Sequence, residues 1–437
     1  MSDAATAPLP YKIARLRIMM FMEYASRGVW IPIAGKFLSA KKDQGGLEFT
    51  ETEIGYTLGV ALAVGALCSP FIAASLADRR FATQKVMAIL LILGGTTQLV
   101  TGYQTSFTAW FGLSIVYAIL FVPTMSLSNS LAMSHLDDPK QQYPGVRVWG
   151  TIGWIVVSWL FPMIWLQTDL KFRWLPPFFT GDDVPMIKAK MIDSVKVAGM
   201  IGITYGVFCW YLLPNTRPKK KAKSLALWST IQIYRQRSMA ILLVSTLIVG
   251  TVHTLYFIQA SKFLPAIGLE DAYIAPAMSL GQFAEIGAMA VLGLLLRRIG
   301  FRNVMLIGAG CYVLRYLIFA CHEWLPLSVI VASQALHGLC FACFYAAGFI
   351  YVDRMAPTDA KHSTQTIFGL MCFGIGPFAG GILTGALAKL CTSNDVLNYS
   401  QFWLAAAAIG LAGFALLALQ FRDESAADPA TEPAAAD

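Results

Sequence analysis

Charge is what this sequence has least of. Only 13% of its 437 residues are Asp, Glu, Lys or Arg, while 57% are hydrophobic, where an ordinary soluble domain carries about 25% charged residues. That shortage excludes a soluble enzyme or a nucleic-acid-binding module, because neither leaves so little of its surface charged. A recognised catalytic motif is also missing. Gly35-Lys36 has the look of the end of a phosphate loop, but Trp30 stands where the first glycine belongs and Phe37 where a Ser or Thr belongs, so it is a chance fragment. The start of the chain is polar and no small-residue cleavage site follows the first apolar run, so no secretory leader is expected. Eight cysteines are present, mostly inside apolar stretches. Cys340 and Cys343 form a CxxC there, which reads as small packing residues in a helix rather than a metal or redox site.

What the sequence has instead is long apolar runs. A helix needs about 20 predominantly apolar residues to cross a bilayer core. Runs of that kind are expected near 17–38, 54–77, 84–104, 107–135, 145–166 and 192–213, then near 239–264, 273–296, 303–321, 325–352, 364–390 and 400–421. The expected fold class is therefore an all-α membrane protein of about twelve transmembrane helices. Lys and Arg sort to one side of these spans. Arg79, Arg80 and Lys85, then Arg217, Lys219, Lys220, Lys221, Lys223, Arg235 and Arg237, and finally Arg297, Arg298 and Arg302 fall in loops of the same side. Lys41, Lys42, Lys171, Arg173, Lys188 and Lys190 lie opposite, mostly among Asp and Glu. The positive-inside rule then puts both termini in the cytoplasm. The net charge of +8 is a consequence of that topology and needs no nucleic acid.

The basic stretch 214–238, opening Pro214-Asn215-Thr216-Arg217-Pro218, divides the chain. The expected organisation is an N-terminal six-helix half over 1–213, a cytoplasmic linker over 214–238, a C-terminal six-helix half over 239–421 and a disordered cytoplasmic tail over 422–437. A weak repeat supports the division: LADRRF ends at Phe81 after the second span, and LLRRIGF ends at Phe301 at the equivalent place in the second half. Asp78-Arg79-Arg80 resembles the charged core of the signature loop of the major facilitator superfamily, with Ala74 where that signature usually opens on glycine.

Polar groups deep in a span are the informative positions, because an ionisable side chain at mid-bilayer costs about 2.5–3.5 kcal/mol and so usually faces a cavity or a partner. On the first helix, Glu23 and Arg27 are four residues apart on one face, and Arg27 lies about 15 Å beyond Arg17 by helical rise. They read either as a structural ion pair or as contacts to solute or proton. On the fifth helix Arg147, Thr151 and Trp154 form a stripe of cation, hydroxyl and ring suited to a planar, hydrogen-bonding solute, unless Arg147 snorkels to the interface. On the eighth, Gln282 and Glu285 share a face, with Glu285 about 18 Å from Arg297. Apolar surroundings favour the neutral form of a carboxyl in general. Glu285 is therefore the first candidate for proton coupling, with a buried structural hydrogen bond as the alternative. On the tenth, His337, Phe341 and Phe344 fall at one-turn intervals and could bond and stack a base-like ligand, or simply join helices. His253, Tyr256 and Phe257 on the seventh read similarly, and Arg315 reads as a helix lock.

Several segments together resemble the nucleoside:proton symporter family, the bacterial nucleoside permeases of the major facilitator superfamily. They are RVWGTIGW at Arg147–Trp154, PTMSLSN at Pro123–Asn129, SLGQFAE at Ser279–Glu285, RNVMLIG at Arg302–Gly308 and LRYLIFA at Leu314–Ala320. The resemblance covers nearly the whole chain. It implies a major facilitator fold with alternating access and proton-driven nucleoside uptake, no cofactor and no enzymatic activity. It also implies a substrate site at Arg147, Thr151, Trp154, Gln282, Glu285, His337 and Phe341, His337 standing where the family has tyrosine. The family's seventh-helix amides fall at Thr254 and Phe257, and an acidic tenth-helix position is Ala342. Glu23 and Arg27 are gains on the first helix, so the proton-coupling candidates are Glu285, Glu23 and Arg27. Expected partners are a small solute, protons and membrane lipid in the bacterial inner membrane, with no metal, nucleic acid or obligate protein partner. A carrier of sugars or another small polar metabolite is the alternative transporter, and a receptor or sensor the alternative outside transport.

Overall fold

A computed structural model describes residues 11–72, 82–174, 177–216, 227–357, 360–394 and 396–424. The charged loop at Asp78-Arg79-Arg80, the first copy of the LADRRF repeat, the basic run Arg217–Lys223 and the tail from residue 425 lie outside the described residues. Among the described residues the chain is a bundle of helices: α1 Lys12–Gly28 and α2 Ile31–Ser39, then α3 Glu51–Pro70, α4 Thr83–Thr101, α5 Phe107–His135, α6 Gln141–Leu166 and α7 Ile187–Leu212. A short helix α8, Leu227–Arg235, lies within the stretch read as a linker. The rest are α9 Arg237–Ala266 and α10 Ile274–Ala320, followed by α11 Leu327–Met355, α12 Ser363–Leu390 and α13 Tyr399–Gln420.

Ten helices among the described residues are long and apolar enough to cross a membrane, against about twelve expected from the rule of ~20 apolar residues per span. The difference has two local causes. The first expected span is split at Val29-Trp30, because Pro32 lacks an N–H and its ring crowds the carbonyl one turn back, leaving helices of 17 and 9 residues. The eighth and ninth expected spans run together as α10, interrupted at Gly300 with φ 76° and ψ 168°. That backbone conformation is open to glycine because it has no Cβ. The Asp423 carboxylate caps the turn by accepting from Phe301 N at 3.2 Å.

Two small hairpins went unread in the sequence. β1, Gln167–Phe172, pairs antiparallel with β2, Phe179–Asp183, with Gln167 opposite Asp183 and Phe172 opposite Phe179. β3, Thr392–Ser393, pairs with β4, Val396–Leu397. Both sit at helix ends, where polar backbone can hydrogen-bond outside the apolar layer.

Lipid tails are as apolar as leucine, so close packing rather than hydrophobic collapse holds such helices together, and small residues let backbones approach. α4 and α7 meet this way: a Cβ built on Gly199 would come 2.6 Å from the carbonyl oxygen of Gly95 and 2.5 Å from Leu99 N. α1 crosses α6 on Gly153, which faces the backbone of Phe21. The helices up to α7 also touch those from α9 onward. Gly59 of α3 abuts Gly381 of α12, and Trp159 Nε1 of α6 donates to Ser279 Oγ of α10 at 2.9 Å.

Polar contacts between these two groups of helices gather toward the face reached by the ends of α2 and α9. Lys36 pairs with Asp271 at 3.1 Å. Glu51 accepts from Gln259 Nε2 at 2.7 Å and pairs with the buried Lys262. A cavity of about 310 Å³ lies beside these residues, lined by Lys36, Gln44, Glu51, Lys188, Lys262 and Tyr399 among others. None of the site residues chosen from the sequence lines it.

The helix seam makes a direct prediction. Gly199→Val should cost about 1–3 kcal/mol by overpacking and lower the thermal unfolding midpoint of the detergent-purified protein. Gly112→Ala, where an added Cβ meets nothing within 4 Å, should leave it unchanged or slightly raised, as expected of Gly-to-Ala in a helix. An unchanged midpoint for Gly199→Val would mean that this seam is not close-packed.

Candidate solute site

Arg147 packs against the first helix. Its guanidinium lies over the ring of Tyr24, 4.3 Å from the centroid, so α1 supplies a flat apolar platform for a cation carried on α6. The platform is feasible because Gly150, one turn along α6, leaves room for the Tyr24 ring. Arg147 is only half-buried. It feels the Glu285 carboxylate of α10 electrostatically, although the pair is not within 4.0 Å. An arginine stacked on a ring keeps its planar fork of donors directed outward, which suits recognition of a planar acceptor. Thr151, a turn further, is buried, and Trp154 continues the stripe.

From Trp154 a train of rings runs into α9 and α11. Trp154 meets Phe257 edge-on at 6.3 Å, Phe257 meets His337 edge-on at 5.3 Å, and His337 stacks on Tyr256 at 4.9 Å and on His253 at 5.1 Å. His253 Nδ1 lies 2.7 Å from the Tyr312 hydroxyl, while His337 Nδ1 is buried without a hydrogen-bond partner among the described residues. Two other buried amide atoms are likewise unpartnered nearby. Gln334 Oε1 accepts from Tyr256 OH at 2.7 Å, while its Nε2 has no partner among the described residues. Gln282 leaves Oε1 free, and the adjacent Gly281 packs on the His337 ring. Buried polar atoms are nearly always satisfied in native proteins, so a cluster of such atoms beside stacked rings is chemically fitted to a ligand with both a flat face and hydrogen-bonding edges.

Behind this wall sits Arg315, fully buried. Its guanidinium lies 3.9 Å from the Tyr256 ring centroid, 5.1 Å from that of Tyr316 and 5.5 Å from that of Tyr312. A desolvated cation over a ring contributes about 2 kcal/mol or more. Tyr316 OH in turn donates to Val252 O at 2.6 Å. Arg315 locks α9 to α10, as its sequence context implied.

Three sequence expectations change. Glu23 and Arg27 do not form an ion pair. Glu23 is buried with Oε1 3.0 Å from Thr124 Oγ1 and Oε2 3.0 Å from Tyr205 OH, whereas Arg27 Nη1 turns to Met125 Sδ at 3.0 Å. The His337, Phe341, Phe344 stripe does not persist, because a π-helical turn at Phe341–Ala346 adds residues to that turn of α11 and rotates the side chains beyond it. Phe344 is driven against Gly308, and Phe341 stays half-buried beside Tyr345 at 5.8 Å. Thr254 bends its hydroxyl onto Gly250 O at 3.0 Å and packs on Gly380, away from the ring train.

Tyr24, Thr124, Tyr205 and Gln334 were missed in the sequence. A tyrosine or threonine in an apolar run carries no signal of its partner. Lys262 did carry one, being an ionisable residue inside a span.

The chain matches the family profile described as Nucleoside H+ symporter over residues 11–426. It is 28% identical to YegT of Escherichia coli, covering 93% of this chain and 92% of that protein. It is 22% identical to the nucleoside permease NupG of Escherichia coli, covering 89% and 91%, and 23% identical to the xanthosine permease of Escherichia coli, covering 92% and 93%. The crystal structure of the nucleoside transporter NupG superposes with a TM-score of 0.76 at 21% identity, covering 94% of this chain and 99% of that one, which shows a shared major facilitator fold. With a family match across almost its whole length and apolar helices to match, this integral membrane transporter belongs to the nucleoside H+ symporter family.

Proposed function

We propose that the protein carries nucleosides together with protons by alternating access. The observation that carries this reading is the ring train Trp154–Phe257–His337, flanked by unpartnered atoms of Gln282, Gln334 and His337. A nucleobase presents a flat π-face and an edge of donors and acceptors, and those groups answer both. Family membership and the resemblance to the nucleoside permease NupG and the xanthosine permease support a nucleoside over a sugar, which lacks an aromatic face. Arg147, Thr151, Trp154, Phe257, Gln282, Glu285, His337 and Phe341 are the proposed substrate residues. Thr254 takes a supporting part by packing.

In this reading residues 1–213 and 239–421 are the two halves that rock about the site, joined by 214–238. The ion pairs Lys36–Asp271 and Glu51–Lys262 tie the halves on one face. The positive-charge bias of the loops supports an orientation with that face outside and both termini in the cytoplasm of a bacterial inner-membrane protein. Glu285 is the leading proton carrier, since it lies on the second half, within electrostatic reach of Arg147 on the first. Relative motion of the halves changes that separation, and with it the cost of the carboxylate. Glu23 is the competing carboxyl on α1.

Three measurements test this. Arg147→Ala and Gln282→Ala should each weaken nucleoside binding by about 1.5–3 kcal/mol, roughly 10- to 150-fold, with expression intact; wild-type affinity in both would remove them from the site. Glu285→Gln should abolish accumulation of labelled uridine or adenosine against a gradient while sparing counterflow exchange. Uptake by the wild type that ignores pH and uncouplers, or that favours sugars, would reject proton-nucleoside symport. Cysteines introduced near Asp182 should react with an impermeant thiol reagent on intact cells, and cysteines near Lys220 should not; the reverse pattern would invert the orientation.

A further inference from the structure

Glu23 is a carboxyl of α1 with less than it needs to be an anion. It is 1% exposed, and no cation among the described residues lies within 4.0 Å of it. The charged and titratable groups around it are Arg27 on its own helix, Tyr117 on α5, Arg147 on α6, and Tyr205 and Cys209 on α7. The direct partners are two neutral hydroxyls, Tyr205 OH and Thr124 Oγ1, each at 3.0 Å. Burying a carboxylate without a paired cation is among the costliest arrangements a fold can make.

Hydrogen accounting at Thr124 is more telling. Its hydroxyl owns one hydrogen and has two oxygen neighbours. Phe121 O, one turn back on α5, is 2.6 Å away, and Glu23 Oε1 is 3.0 Å away. The shorter contact is the backbone one, so the hydrogen goes to Phe121 O. The contact with Glu23 then has no hydrogen unless the acid brings its own, donating from Oε1 to the lone pair of Thr124 Oγ1. Tyr205 meanwhile donates to Oε2, and every atom is satisfied.

From this geometry we infer that Glu23 is a second proton-binding site of the transporter, occupied in the conformation seen here, with Thr124 as its switch. When the proton leaves Oε1, the Thr124 hydroxyl rotates its hydrogen from Phe121 O to the new carboxylate. The anion then accepts from both Thr124 and Tyr205. One rotor thus serves the acid as acceptor and the carboxylate as donor, so both protonation states are fully bonded without backbone movement. Arg147 links this site to transport. It is within electrostatic reach of Glu23 in its own group of helices and of Glu285 across the interface. Movement that carries Glu285 away leaves Arg147 to Glu23 alone and favours release of the Glu23 proton. This deepens and rests on the proton-symport reading above.

The test is pH-difference infrared spectroscopy of the full-length protein in liposomes, read at the carbonyl stretch of protonated carboxylic acids. The wild type should show a band that Glu23→Gln removes. Thr124→Val, which takes away the acceptor, should shift that band, and Thr124→Ser should restore its position. A band unaltered by Glu23→Gln would overturn the assignment. Should Glu23→Gln fail to fold, identical band positions in Thr124→Val and Thr124→Ser would overturn it as well. Solute-driven acidification inside the same liposomes, measured with a trapped pH dye, tests symport separately. Its absence in the wild type rejects symport whatever the infrared result, and its presence with an unaltered band rejects only the role of Glu23.

Discussion

No water reaches the hydrocarbon layer of a bilayer, so every polar atom placed there finds its partner inside the protein or remains costly. That constraint shapes most of what this chain does with its few charges. Among the described residues the backbone answers by being helical through most of each span, with hairpins confined to helix ends. The side chains answer with aromatic rings. Arg147 rests on Tyr24 and Arg315 among three tyrosines, so neither cation needs a carboxylate to hold it in place. A cation held by rings remains free to interact with something that comes and goes, which a bidentate ion pair would not allow.

The same constraint explains why the two faces of the bundle differ in chemistry. Where water begins, near the ends of α2 and α9, contacts between the two groups of helices are ionic: Lys36 with Asp271, Glu51 with Lys262. Deeper in, they are close backbone approach at Gly59 and Gly381 and single hydrogen bonds such as Trp159 to Ser279. These pairs are partly to largely buried, so opening that face has to give each charge water in place of its partner, whereas a glycine seam can slide or roll and holds no charge to be stranded. Such a division is compatible with an interface that opens at one face and pivots on its middle.

The π-helical turns belong to this picture. Tyr56–Val60 in α3 and Met371–Ile375 in α12 lie in helices that meet across the two groups, and Phe341–Ala346 comes directly after the turn that carries His337. Each is an irregularity in hydrogen bonding within a span, tolerated where neighbouring protein rather than lipid surrounds it. In α11 the result is to separate His337, which faces the other rings, from Phe344, which packs on Gly308.

Much was already decided by the residues in order. Length and position of the apolar runs, together with the sparse charge, determined a polytopic helical membrane protein, because lipid permits few alternatives. The motifs around Arg147 and Gln282 determined the family. The ionisable residues inside spans, Glu23, Arg147, Glu285 and Arg315, were visible as costly positions that call for partners. Who those partners are was left to the tertiary structure. Helical spacing places Glu23 and Arg27 on one face, yet each turns to α5 and α7 or to Met125, since distance along one helix says nothing of what a neighbouring helix offers. The even spacing of His337, Phe341 and Phe344 assumed a uniform helix, and a single wide turn undid it. Tyr24 under Arg147 and Thr124 beside Glu23 come from other helices than the residues they serve, so only packing could choose them.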